Sequence, residues 1–179
     1  MQRKLLVTIH LYLAAFFTPL VIAMAVTGGL YLLGVKGSVE KTPVATIAGE
    51  QMKLEKGNES VRVDALLEQA GIQANYAYVK TVPGGAITRP TSREYYELRD
   101  SADGVSVTRM QPDLIASLVE LHKGHGPQAF RWLEIVFALG LVFIMVSGLY
   151  LGLQSPMLKN KTLVLSGAGT LVFIIAAVI

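Results

Sequence analysis

The 179-residue sequence contains no cysteine. No disulfide framework, thiolate nucleophile or Cys-ligated zinc or iron–sulfur centre is available, so the compartment must be read from charge. Charge itself is scarce: 16% of residues are Asp, Glu, Lys or Arg, against roughly 25% in an average globular chain. Among the stretches that lack it altogether are the one between Lys4 and Lys36 and the one after Lys161. A P-loop, a Gly-rich phosphate motif and a Ser/His/Asp set are also missing. With 52% hydrophobic residues gathered in blocks, the composition excludes a purely soluble domain, a disordered chain and a nucleic-acid binder.

What is present is long apolar runs. A helix needs about 20 apolar residues to cross the hydrocarbon core. Residues 5–33, 129–153 and 162–179 meet that length, the last only just; the second holds one acid, Glu134, near its start. Basic and acidic residues balance between Lys36 and Arg131. The net charge of +3 therefore comes from Arg3, Lys4, Lys159 and Lys161 against Glu134. Short basic flanks mark the cytoplasmic side. The N-terminus and the 154–161 loop are thus expected inside, and residues 36–120 outside. Ala23-Met24-Ala25 resembles a signal-peptidase site, but the apolar run continues through Leu33, beyond a signal-peptide core. The segment is expected to remain as the first span.

The outer residues, about 37–120, read as a small α+β unit that docks on the membrane helices. A short strand is expected at 44–48. Val63, Leu66, Leu67 and Ala70 repeat at helical spacing, with Ser60 as cap and Gly71 as stop. Strands are expected at 75–82, 93–99 and from Val105, with turns at Pro83-Gly84-Gly85 and Asp103-Gly104. The expected core is one helix on three antiparallel strands. Tyr76, Tyr78, Tyr95 and Tyr96 read as half-buried cross-strand pairs, and the scattered charges as solvated faces.

Three histidines carry whatever chemistry the chain has. His10 lies inside the first span, where an ionisable side chain is costly and points to function. Its helical face continues through Ala14, Phe17, Val21, Met24 and Gly28, which suits either a macrocycle or plain helix packing. His122 and His125 precede the second span in Leu121-His122-Lys123-Gly124-His125-Gly126, and no acid or cysteine completes a zinc set. Gly148 and Gly152 form G-x-x-x-G, which permits close helix approach, including across a dimer.

Together these residues resemble the PepSY-associated transmembrane (PepSY-TM) family, in a short three-helix form. The resemblance rests on His10 after a basic N-terminus and on Thr27-Gly28. It rests equally on Leu121-His122-Lys123-Gly124 with Gly126 and Arg131, and on Ser147-Gly148-Leu149-Tyr150-Leu151. It covers most of residues 1–153. It implies an integral membrane, mainly α-helical protein with a small α+β PepSY-like domain between helices 1 and 2. The implied divisions are 1–35, 36–120, 121–153, 154–161 and 162–179. It further implies a bacterial inner-membrane location, haem b, and iron ligation by His10 and His122, with His125 as an extra candidate. Larger relatives reduce ferric siderophores; this chain lacks their second pair of helices and carries a third apolar helix instead.

Bis-histidine ligation requires two imidazoles at one depth. His10 near one boundary and His122 near the other are separated by roughly 25–35 Å of helix rise. One copy therefore does not clamp one haem between them, and a homodimer or a second membrane subunit is expected. Two functions follow. One is electron transfer by haem b to a periplasmic acceptor such as a ferric siderophore complex, with a separate donor because no nicotinamide, flavin or quinone motif is present. The other is a non-enzymatic, membrane-anchored subunit that binds a periplasmic protein or peptide.

Overall fold

The computed structural model describes residues 3–179. In chain order the elements are α1 (Arg3–Leu32), β1 (Val39–Ala48), α2 (Glu59–Gln69), β2 (Tyr78–Val82) and β3 (Gly85–Arg89). They continue with β4 (Tyr95–Ser101), β5 (Gly104–Pro112), α3 (Leu114–His122), α4 (Gln128–Leu153) and α5 (Lys159–Val178). Three helices, α1, α4 and α5, are long and apolar enough to cross a membrane, as the charge-free runs anticipate. Helices satisfy every backbone group internally, which is what hydrocarbon demands. The chain divides into two compact units: the part up to Val21 with Ile135–Ile179, and Ile22–Glu134.

In the first unit, α1 and α4 meet through aromatic-on-glycine packing. Phe17 is buried with its ring centroid 5.5 Å from that of Phe137. A Cβ at Gly140 would stand 2.5 Å from the Phe17 ring, so only glycine lets the helices approach this closely. Gly152 does the same for α5: a Cβ there would lie 2.7 Å from Thr162 Oγ1. The G-x-x-x-G glycines thus serve contacts within the chain, Gly152 with Thr162 and Gly148 with His10.

The second unit holds a five-stranded antiparallel sheet in the order β1-β5-β4-β3-β2. The period-2 pattern puts Ala86, Leu98, Val105 and Val107 on one face, and α2 covers it with Val63, Leu66 and Leu67. Met52 closes this core. Leu66 and Leu98 are fully buried, and truncating either to Ala costs about 2–5 kcal/mol. The second face carries Lys80, Ile87, Arg89 and Tyr95, opposite Ala116, Val119 and Glu120 of α3.

The helix at 63–70 and both expected turns are where the spacing puts them. Other expectations need correction. The sheet has five strands: β1 is ten residues long rather than five, and β3 occupies residues assigned to a turn and loop. Gly85 opens β3 because a Cβ there would lie 2.1 Å from the Leu98 carbonyl oxygen. Helix α3 is an element the spacing did not reveal, capped by Asp113, which accepts from Ala116 N at 2.7 Å. Ser60 is not the cap of α2; Asn58 holds that position without a side-chain bond. The tyrosines do not pair with one another: Tyr78 faces Arg89, Tyr95 faces Met110, and Tyr96 faces Arg109. Tyr76 lies outside the strands and donates to Asp64.

Candidate functional site

Two of the three histidines are seated by the same local device. His10, on α1, has its Nδ1 2.8 Å from Ser147 Oγ on α4. Ser147 Oγ also bonds the Ile144 carbonyl at 3.1 Å. A hydroxyl has one proton and a carbonyl can only accept, so that proton is committed to Ile144. The serine oxygen must then accept from the imidazole. Nδ1 then carries a hydrogen, and in the neutral ring Nε2 keeps its lone pair. Gly148 completes the seat: a Cβ there would stand 3.2 Å from His10 Cε1, so the ring rests against bare helix backbone.

His122, the last residue of α3, repeats this arrangement within the other unit. Its Nδ1 lies 3.1 Å from Thr27 Oγ1 on α1. Thr27 donates back to the Ala23 carbonyl at 2.7 Å, with the Met24 carbonyl at 3.2 Å. The same count puts hydrogen on His122 Nδ1 and, in the neutral ring, leaves Nε2 bare. A Cβ at Gly28 would lie 3.2 Å from Cε1 and 3.7 Å from Nε2. Both hydroxyls are buried, Thr27 at 3% and Ser147 at 4% exposure, so each needs this double bonding to be satisfied. Among the described residues neither Nε2 has a hydrogen-bond partner.

His125 is held differently. Its Nδ1 donates to Glu120 Oε2 at 2.7 Å. Glu120 also receives Thr91 Oγ1 and Lys123 Nζ, and Arg89 Nη1 lies 3.5 Å away. Burial opposes ionisation of Glu120, but hydrogen bonds from Lys123, Thr91 and His125 outweigh it and bring the carboxyl down to about 2. Burial pushes His125 below its ordinary range, against the pull of Glu120, and Arg89 adds to the push. At neutral pH the pair is a neutral imidazole donating to a carboxylate. Arg89 is 6% exposed, so this charge is not on a solvated face as the scatter of charges suggested.

Residues 57–179, more than half of the chain, match the PepSY_TM-like family model. The chain belongs to this family. No curated protein and no solved structure matches it. In this PepSY_TM-like chain the matched region contains His122, His125 and the Ser147-Gly148 seat, whereas His10 and the Thr27-Gly28 seat precede it.

The residues fit haem iron in one specific sense. Among the described residues there is no cluster of three or more His, Cys, Asp or Glu able to hold a metal ion. Each seated histidine is a single donor with an oriented ring and a free Nε2, which suits an axial ligand and not a polydentate ion site. His10 is the one histidine of its unit. No second histidine stands beside it there. Ser147 and Thr27 were legible as motif residues, but their role as holders of Nδ1 was not. The only local signal was a hydroxyl followed by glycine, which α1 and α4 share with Ser166-Gly167 of α5, where no histidine is seated.

Proposed function

We propose that this chain is a haem-b protein of the bacterial inner membrane, with His10 and His122 as iron ligands and residues 36–120 in the periplasm as a PepSY-like domain. Arg3, Lys4, Lys159 and Lys161, on the short flanks of the spans, support that orientation. The order of α2 followed by β-hairpins supports the PepSY-like assignment. Two copies, or one copy with another membrane subunit, complete the axial pairs.

The observation that carries the reading is the proton count. Ser147 and Thr27 direct their protons to helix carbonyls, which calls for hydrogen on Nδ1 of both imidazoles and leaves Nε2 of each neutral ring to face iron. Bound haem b supplies one-electron chemistry, here directed to a periplasmic acceptor such as a ferric siderophore complex. The chain orients the two donors by holding each ring at Nδ1. His125, committed to Glu120, has a lesser role. Reduced-minus-oxidised absorbance of protein expressed with ample haem tests this. Wild type is expected to show b-type bands, His10→Ala to lose one component, and His122→Ala a second. A colourless wild type overturns the reading.

A second reading, a membrane-anchored binding subunit, is favoured by one observation. The sheet unit has its own core and a polar cavity of about 580 Å³ on the opposite sheet face.

A further inference from the structure

That cavity lies between the second face of the sheet and α3, wholly inside the Ile22–Glu134 unit. Its charges come from four cations, Lys36, Lys80, Arg89 and Lys123, and a single carboxylate, Glu120. Glu120 is already occupied by Lys123, Thr91, His125 and Arg89. Among the described residues neither lysine across the cavity is paired with it. Among the described residues neither Lys36 nor Lys80 forms a salt bridge, and Lys36 lies over the Tyr31 ring at 5.1 Å. Glu97, on the same sheet face, is paired with Arg99 and does not compensate them.

Arg89 adds an independent sign. Its side chain is 7% exposed, one Nη bonds Thr91 Oγ1 at 2.8 Å, and its Nε is buried without a partner. Burying a guanidinium this deeply is costly unless its donors are met. The cavity wall thus carries a buried arginine with an unpartnered Nε, two exposed lysines without a salt bridge among the described residues, and one carboxylate already paired with Lys123, an excess of positive charge.

We propose that this cavity binds a multiply charged oxyanion, a carboxylate or phosphate group held by Arg89, Lys36 and Lys80. Two sources share that chemistry: a soluble polycarboxylate and an acidic lipid headgroup. Anion binding stands apart from the haem reading. Only one extension rests on it: Tyr31, Val119 and Lys123 border both this cavity and the one at His122, so an anionic electron acceptor would sit beside that ligand.

The test uses the full chain in nanodiscs of neutral phosphatidylcholine, titrated calorimetrically with citrate and with inorganic phosphate. Saturable binding of either is expected, weakened about tenfold or more in a Lys36→Gln/Lys80→Gln variant. A Lys53→Gln/Lys56→Gln variant, altered outside the cavity, is expected to bind like wild type. In nanodiscs containing phosphatidylglycerol, reduced citrate affinity in wild type but not in the cavity variant identifies the lipid headgroup as the resident anion. Equal affinity in both lipids identifies the soluble one. Absence of citrate, phosphate and phosphatidylglycerol effects in wild type overturns the proposal, as does binding that the cavity variant retains in full. Haem content measured on the same samples separates this outcome from the fate of the haem reading.

Discussion

His10 and His122 are each bonded at Nδ1 by a buried hydroxyl and backed by a glycine, yet what lies beyond the ring differs. The His10 seat is built from two spanning helices, with Ile144, Ser147 and Gly148 on the facing one. His122 ends a short helix and borders a cavity of about 360 Å³ shared with Tyr31 and Lys123. The same hydrogen-bond device is thus set once in apolar helix and once beside charge.

The largest expected effect comes from filling the glycine seats. Gly148→Leu should push the His10 ring off its backbone rest and abolish the His10 haem component, leaving the His122 component intact. Gly28→Leu should do the converse. Difference absorbance of the purified variants reads both. Simultaneous loss of both components in either variant would break the view that the two seats are built separately.

Removing the holding hydroxyls is milder, because the ring stays but its tautomer is no longer imposed. Ser147→Ala and Thr27→Ala should each weaken haem retention at their own site about 10–100-fold, measured by transfer to an excess of apo-acceptor protein. Unchanged retention in both would show that the hydroxyls do not tune the ligands.

Acid should separate the two regions more gently. Glu120 and His125 both have folded values below their ordinary ones. The unfolded chain therefore takes up protons first, and the sheet unit loses stability as pH falls. The His125 share fades below its ordinary 6.5, and the Glu120 share between 4.5 and about 2. Thermal unfolding followed by tyrosine circular dichroism should show this decline, with Glu120→Gln flattening its lower limb. A sheet unit more stable at pH 4 than at pH 7 would contradict the assignment.

The two regions also differed in how far residues could be read in advance. The spans announced themselves through absent charge, and α2 through Val63, Leu66 and Leu67, because both signals are local. Strand β3 did not: Gly85 looks like a turn residue, and its true reason, the Leu98 carbonyl 2.1 Å from a would-be Cβ, lies across the sheet. Helix α3 has nine residues and merges with the histidine motif that follows it. The histidines were visible as costly polar residues near apolar runs. Their holders were not, since Ser147 is 137 positions from His10 and Thr27 is 95 from His122. Arg89 was misread for the same reason: its burial depends on Thr91 and on Glu120 of a later helix.

The central claim is that two hydroxyls with committed protons force both imidazoles to expose an unprotonated Nε2. Nitrogen-15 NMR of histidine-labelled, haem-free protein in lipid bilayers reads this directly. The account predicts that His10 and His122, assigned by comparison with His10→Ala and His122→Ala, are protonated at Nδ1 and bare at Nε2. A proton on Nε2 of either residue would contradict it.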